Sequence, residues 1–183
     1  SQGDFYEPLN LSGVMKAPAI LFCQNNNWAI SVPRQSQTAS PTLAQKAVAA
    51  GIPGIHVDGN DLMAVYQVTK AAVDRARRGD GPTLIEGVTY RLGIHTTADD
   101  SSRYEPEELR EMWKDKDPVI RLQLYLEQRG CWTEEIGEKM ESEISTELDQ
   151  AWDEAQKFPD ATAAESLTHV FAEMTPRLQQ QYD

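Results

Sequence analysis

Short apolar runs alternate with stretches of helical spacing over residues 1–105. The run from Pro18 to Cys23 is bounded by a proline and by three asparagines, so it predicts a strand that is buried on both faces. Later runs predict strands at Gly54 to Val57 and at Thr83 to Leu92. Strands that alternate with helices predict the α/β class, with a mainly parallel sheet flanked by helices.

Helix start signals precede and separate these strands. Asp4 and Glu7 have the spacing of a capping box, which predicts a helix start. The apolar positions that this helix would turn inward are Phe5, Leu9 and Val14. Ser40 before Pro41 predicts a second start, and Gly51 predicts its end.

The remaining helix signals lie further along the chain. Asp61 predicts the cap of a helix that ends near Gly79. Asp117, which precedes a proline, and Thr133 each predict a further start. An amphipathic stretch over residues 167–174 predicts the last helix.

The two halves of the chain differ in composition. Residues 106–183 are acidic, almost free of strand signals and helically periodic, so we expect two domains, residues 1–105 and residues 106–183. The whole chain of 183 residues has 17 Lys and Arg against 29 Asp and Glu, a formal charge of −12. Such a charge repels phosphate backbones, which argues against a nucleic-acid partner.

Apolar content and cysteines limit the cellular setting. The longest apolar run is far shorter than the roughly 20 residues that a membrane-spanning helix needs, so we expect no membrane association. Cys23 and Cys131 are far apart and do not form a disulfide framework or a metal knuckle. The expected compartment is therefore the reducing cytoplasm.

An asparagine cluster follows the first predicted strand. The segment QNNNWAIS, residues 24–31, comes where a buried parallel strand ends, and open α/β sheets bind ligands at that edge. Asparagine and backbone carbonyl oxygens are suited to Mg²⁺ or Ca²⁺. From these residues alone, an Asn-rich turn without a ligand remains the alternative.

A second candidate is the polar loop from Gly93 to Tyr104, which contains His95 and follows Arg91. The histidine has the chemistry of a proton shuttle, and the arginine has that of a phosphate clamp. The alternatives are a solvated loop or a metal site on His95, Asp99 and Asp100, which would have only one nitrogen ligand.

Taken together, these strings resemble a known family. The order of five segments is that seen in alpha subunits of thiamine-diphosphate-dependent 2-oxo acid dehydrogenases: SQGDFYEPLN, KAPAILFCQNNNWAISVP, TLAQKAVAAGIPGIHVDGNDLMAVY, GPTLIEGVTYRLGIHTTADDSSRY and WKDKDPVIRLQLYLEQRGCW. The resemblance covers essentially the whole chain and leans towards the bacterial pyruvate enzymes, with the branched-chain enzymes as the alternative. It implies the carboxy-terminal part of a thiamine-diphosphate-binding fold, followed by a helical region.

The resemblance also implies the roles of five residues. The Asn26 side chain and the Trp28 backbone carbonyl would bind Mg²⁺, and Ile30 would hold the bound cofactor bent. Arg91 would lie near the diphosphate, and His95 would take part in passing the acyl group to a lipoyl arm. A further metal-binding Asp would precede Ser1.

The implied activity is the oxidative decarboxylation of a 2-oxo acid, expected to be pyruvate, with reductive acylation of a lipoyl group. The implied partners are a beta subunit, in an α2β2 heterotetramer, and a lipoyl acyltransferase core. The activating glutamate would come from the beta subunit, and the first half of the family's metal motif, Gly-Asp-Gly, is missing from this chain, so we expect the chain alone to be inactive. The other hypotheses are a fragment without activity and a helical docking module at residues 106–183.

Overall fold

The computed structural model describes residues 3–182, which divide into two compact units. One unit ends at Cys131 and the other begins at Trp132. The domain boundary expected after residue 105 stays a prediction. The first unit contains the helices α1 (Gly3–Val14), α2 (Lys46–Ala49), α3 (Leu62–Arg77), α4 (Glu107–Lys114) and α5 (Pro118–Gln128), and the strands β1 (Ile20–Asn25), β2 (Trp28–Ala29), β3 (Val32–Pro33), β4 (Gly54–Asp58) and β5 (Thr83–Val88).

The main sheet of the first unit has three parallel strands in the order β1-β5-β4. Its register places Asn25 of β1 and Asp58 of β4 on either side of Val88 of β5. The carboxyl ends of the strands therefore meet at one edge. The predicted α/β class with a parallel sheet and flanking helices is confirmed.

The core lies on both faces of β5, whose neighbouring residues Leu84 and Ile85 are 1% and 0% exposed. Successive side chains of a strand point to opposite faces. Leu84 belongs to a cluster with Leu9, Ala47 and Ile52. Ile85 packs with Val57 of β4 and with Ala72 of α3. Each fully buried aliphatic side chain of this kind contributes about 1.5–3 kcal/mol, so β5 stabilises both layers.

The first strand differs from its prediction. The apolar run was expected to be buried on both faces, but Phe22 is 47% exposed and the strand is only partly buried. The reason is its place at the end of the strand order, where its partner among the described residues is β5. The third predicted strand also ends earlier, at Val88 rather than Leu92.

Two helix starts were predicted wrongly. Asp4 lies within α1 rather than capping it, and Val14 is 75% exposed, although Leu9 is buried as expected. The second helix begins at Lys46 rather than at Ser40. The Ser40 hydroxyl donates to the carbonyl oxygen of Thr42 at 2.6 Å, so the hydroxyl is engaged in a local turn instead of a helix cap.

The cap signals at α3 and α5 are confirmed. An Asp61 carboxylate oxygen accepts from the Ala64 amide at 3.0 Å, and Gly79 follows the helix with a φ of 80°. Asp117 accepts from the Val119 amide at 2.8 Å. Each carboxylate satisfies an amide that has no partner within its own helix.

The second unit contains α6 (Glu134–Gln156), α7 (Glu165–Thr168) and α8 (Pro176–Tyr182). Thr133 caps α6 as predicted. The helix expected over residues 167–174 is wrong beyond Thr168, where α7 ends. The Thr168 hydroxyl donates to the carbonyl oxygen of Glu165, a local bond that competes with the helix. Among residues 3–182, no helix combines the length and the apolar character needed to cross a bilayer.

Candidate functional site

The asparagine cluster forms the turn that follows β1. The Asn25 side-chain oxygen accepts from the Asn27 amide at 3.0 Å, and that of Asn26 accepts from the Trp28 amide at 3.1 Å. Asn27 has a φ of 68°, a backbone conformation that asparagine tolerates better than most residues. The three asparagines therefore build two overlapping side-chain turns.

Trp28 then enters the β2–β3 hairpin, in which it lies opposite Pro33. The amide of Arg34 donates to the carbonyl oxygen of Asn27 at 2.9 Å, so the neighbouring pair is hydrogen-bonded. Hydrogen-bonded and non-bonded pairs alternate in antiparallel ladders. The carbonyl of Trp28 accordingly points away from β3 and is free of that ladder.

Ile30 occupies the first position of the two-residue connection between β2 and β3, with a φ of 56° and a side chain that is 57% exposed. Glycine is favoured at such a position, and a β-branched residue there is strained. An exposed and strained isoleucine is not explained by core packing.

A cleft of about 610 Å³ opens beside this turn. Asn26 and Trp28 both line it, together with the basic residues Arg34 and Lys46 and the carboxylate of Asp4. The structure thus brings the two predicted metal ligands onto one concave wall. Ile30, Arg91 and His95 are not among the residues that line this cleft.

Arg91 links the hairpin to the polar loop. Its Nη2 donates to the carbonyl oxygen of Ile30 at 2.8 Å and to the Tyr104 hydroxyl at 2.7 Å. Its Nε is buried and has no hydrogen-bond partner among residues 3–182. The predicted cofactor residues Ile30 and Arg91 are therefore in direct contact, although 61 positions separate them.

Asp99 anchors the loop that carries His95. One carboxylate oxygen accepts from the Tyr104 hydroxyl at 2.6 Å and from the backbone amide of His95 at 2.9 Å. These two hydrogen bonds hold the pKa of Asp99 below its ordinary value. The His95 residue itself is exposed. Residues 3–182 contain no cluster of three or more His, Cys, Asp or Glu side chains suited to a metal, so the alternative site on His95, Asp99 and Asp100 is not formed.

Four aromatic rings pack behind the turn. Trp28 lies 5.4 Å from the ring of Tyr104 and 6.5 Å from that of Tyr90, which stacks on Trp113 of α4 at 5.4 Å. The Tyr90 hydroxyl donates to Glu105 at 2.6 Å, and burial, followed by this bond, raises the pKa of Tyr90 to about 12. These ring contacts hold the Trp28 side chain in place and do not involve its backbone carbonyl.

Glu86 is a site residue that sequence reasoning missed. It is 1% exposed in the middle of β5, and its two carboxylate oxygens accept from Asn25 Nδ2 and from the Ala44 amide, both at 2.8 Å. Burial, and then the charge of Glu86, raise the pKa of the neighbouring Cys23 thiol. The available signal was one acidic residue inside an apolar run, since buried carboxylates are rare without partners.

The sequence that builds this fold and cleft matches a known family of proteins. A family profile described as dehydrogenase E1 component matches residues 1–164. The chain therefore belongs to the dehydrogenase E1 component family, and the resemblance inferred from its motifs is confirmed at that level.

Curated relatives of two substrate types match the chain. It is 46% identical over 185 residues to the pyruvate dehydrogenase E1 component subunit alpha of Acholeplasma laidlawii, covering 100% of this chain and 54% of the relative. The subunit of the same name from Staphylococcus aureus (strain Mu50) is 47% identical over 184 residues, with coverages of 100% and 50%. The 3-methyl-2-oxobutanoate dehydrogenase subunit alpha of Mycobacterium tuberculosis (strain H37Rv) is 46% identical over 181 residues, with coverages of 99% and 49%. The chain spans about half the length of these relatives.

Proposed function

We propose that this chain supplies the metal-binding turn and the histidine loop of the alpha subunit of a thiamine-diphosphate-dependent 2-oxo acid dehydrogenase. The observation that carries the proposal is the meeting of Asn26 and Trp28 on one cleft that also has Arg34 and Lys46 on its wall. Family membership supports the same class of enzyme.

The donor groups fit Mg²⁺ and a diphosphate. The side-chain oxygen of Asn26 accepts one hydrogen bond, from the Trp28 amide, and keeps a second lone pair. The Trp28 carbonyl is free of the hairpin ladder, and both are hard oxygen ligands of the kind that Mg²⁺ takes. Thiamine diphosphate, when bound, supplies the electron sink for decarboxylation. Arg34 and Lys46 would balance the charge of its diphosphate.

Local features support cofactor roles for Ile30 and Arg91, which lie outside the lining of the cleft that holds Asn26 and Trp28. A strained residue persists where the surrounding structure holds it, and such residues cluster at functional sites. Arg91 holds the carbonyl of Ile30, and its buried Nε is a donor that a diphosphate oxygen would satisfy. We assign Ile30 to shaping the bound cofactor and Arg91 to binding it.

His95 is assigned to proton transfer during passage of the acyl group to a lipoyl arm. An imidazole ring can both donate and accept a proton, which is the chemistry that such a transfer needs. The hydrogen bond from its backbone amide to Asp99 fixes the main chain and leaves the side chain available on the surface. His95 is thereby presented on an anchored backbone.

The proposed substrate is pyruvate, and the proposed partners are a beta subunit, in an α2β2 heterotetramer, and a lipoyl acyltransferase core. Branched-chain 2-oxo acids remain the alternative, because relatives named for each substrate type match at nearly equal identity. A docking module at residues 106–183 remains the other hypothesis, although Trp113 and Lys116 within that range already have partners in the first unit: Trp113 stacks on Tyr90, and the Lys116 carbonyl accepts from buried Asn60.

Calorimetry tests the cofactor assignment. In the full-length subunit assembled with its beta partner, thiamine diphosphate is titrated in the presence of Mg²⁺, with Asn26→Ala as the variant and Asn10→Ala as the control. Asn10 is an exposed residue of α1 and should leave binding unchanged. Cofactor binding that is unchanged in Asn26→Ala would contradict the assignment.

The substrate is tested separately, by the ratio of turnover on pyruvate to turnover on 3-methyl-2-oxobutanoate. Decarboxylation by the 183-residue chain alone would refute its expected inactivity.

A further inference from the structure

We propose that Glu86 is a positioning residue that holds the Asn25–Trp28 turn against the opposite wall of the cleft and thereby sets its affinity for the metal. This inference rests on the proposed function of the turn. The supporting observation is that one buried carboxylate joins two segments that line the same cleft.

The first link runs from Glu86 to the turn. Asn25 is 8% exposed and donates from Nδ2 to Glu86 Oε1 at 2.8 Å, while its own oxygen accepts from the Asn27 amide. The orientation of the Asn25 side chain is therefore fixed at both ends. Asn26, the proposed metal ligand, is the next residue along the turn.

The second link runs from Glu86 to the segment that precedes α2. The amide of Ala44, a residue that is 5% exposed, donates to Glu86 Oε2 at 2.8 Å. Leu43 and Lys46, on either side of this residue, line the cleft. Because β5 is the central strand, Glu86 reaches both walls from behind the cleft.

A carboxylate suits this position and a glutamine does not. Both oxygens of a carboxylate accept, whereas a glutamine has one accepting oxygen and a nitrogen that only donates. In Glu86→Gln, a donor would therefore face either Asn25 Nδ2 or the Ala44 amide. Asn25 cannot rotate its amide to compensate without losing the bond from the Asn27 amide. In either case Glu86→Gln loses its hydrogen bond to one of the two cleft segments, the asparagine turn or the segment before α2.

The test measures metal affinity separately from folding. Wild type, Glu86→Gln and the control Thr83→Val are compared in the full-length subunit assembled with its beta partner, by calorimetric titration of Mg²⁺ at fixed thiamine diphosphate. Thr83 is 2% exposed on the same strand, and its hydroxyl has no partner among residues 3–182. Removing a residue that orients a metal ligand typically weakens metal binding roughly 10- to 100-fold.

We expect a loss of that size in Glu86→Gln, with kcat restored at saturating Mg²⁺, and no loss in Thr83→Val. Wild type that binds no cofactor would mean that the proposed function fails. If the wild type binds Mg²⁺ and Glu86→Gln binds it equally well, the positioning role of Glu86 is overturned but the proposed function is not. A purely structural role predicts a lower melting temperature with unchanged metal affinity in the molecules that remain folded.

Hydrogen exchange on the wild-type protein keeps the proposal testable if Glu86→Gln does not fold. The Ala44 amide and the Asn25 carboxamide should exchange slowly without cofactor, because both donate to a buried carboxylate. Exchange of either group at the rate of an unfolded chain would overturn the proposal.

Discussion

The close approach of Gly54 to the segment before α2 gives a sharp test of how the cleft is built. Gly54 begins β4 and pairs with Leu84 of β5. A Cβ at this glycine would overlap the carbonyl oxygen of Ala44 and lie 3.0 Å both from the Ala44 carbonyl carbon and from the Ala47 Cβ. In Gly54→Ala, the segment that carries Ala44 must therefore move away from β4.

Two costs follow from that movement. The overlap is with backbone, so no side-chain rotation relieves it, and overpacking of this kind costs about 1–3 kcal/mol. The movement also breaks the bond from the Ala44 amide to Glu86, and losing a hydrogen bond to a charged group costs about 1.5–3 kcal/mol. We expect Gly54→Ala to lose about 2.5–6 kcal/mol from a free energy of unfolding that is about 5–15 kcal/mol in ordinary proteins.

Urea unfolding followed by tryptophan fluorescence measures the loss, with Trp28 and Trp113 as reporters in the first unit. The control is Gly93→Ala, whose new Cβ would have no heavy atom within 4 Å. It should change the free energy of unfolding by less than about 0.5 kcal/mol. Gly87→Ala should be milder than Gly54→Ala, because its Cβ meets the ring of Phe22, which is 47% exposed and free to turn. Equal midpoints for Gly54→Ala and Gly93→Ala would refute this reasoning.

Three further predictions concern local features of the first unit. Ile30→Asn should keep the free energy of unfolding or raise it by up to about 1 kcal/mol, because asparagine tolerates positive φ. Calorimetry should show that the assembled enzyme with Ile30→Asn binds the cofactor more weakly. Unchanged binding would count against the role of Ile30. Asp61→Ala should lower the free energy of unfolding by about 1 kcal/mol, because the Ala64 amide loses its cap. Asp61→Asn should keep most of that stability, since asparagine also caps helices. Equal urea midpoints for the two variants would contradict this prediction. Burial pushes the pKa of Asp58 upward, but it is outweighed by the hydrogen bonds from Arg121, at 2.8 Å, and from the Asn60 amide, together with the charges of Arg121 and Lys116, so the pKa lies below its ordinary value. The resulting stabilisation is complete above the ordinary pKa of the carboxyl group and is lost as the pH falls through the lower pKa of the folded state. Arg121→Met should raise the Asp58 pKa in an NMR titration. An unchanged pKa would exclude the Asp58–Arg121 pair as the cause.

The elements that the sequence predicted well are those with local signals. The cap at Asp61 and the glycine after α3 act on backbone groups within one turn, so α3 could be located closely from sequence. Helix α4 was missed because it begins after Pro106 without a side-chain cap, whereas α5 and α6 begin at the capping residues Asp117 and Thr133. The double burial expected for β1 failed because burial depends on neighbouring strands, which the composition of the strand does not specify.

The candidate site shows the same division between local and distant information. The turn formed by the asparagines was foreseeable, because each side chain bonds two residues further along the chain. The contact of Arg91 with Ile30 and the links of Glu86 join residues from 42 to 61 positions apart. No periodic pattern encodes such contacts, and only the resemblance to a family pointed to Arg91 and Ile30 together.

The central strand connects the stability of the core to the geometry of the cleft. Beyond the end of β5, the Thr89 amide donates to the Asn25 carbonyl at 2.8 Å, and the Thr89 carbonyl accepts from Asn27 Nδ2 at 2.6 Å. The backbone after β5 therefore holds the asparagine turn from one side, while the Glu86 side chain holds it from behind. Since Leu84 and Ile85 of the same strand fill the core on both faces, a disturbance of their packing reaches the turn through backbone bonds. Substitution of Glu86 leaves these apolar contacts in place but breaks one buried hydrogen bond and releases the turn. We therefore expect Glu86→Gln to lose some stability and, in the molecules that remain folded, to bind the metal more weakly than its loss of stability explains.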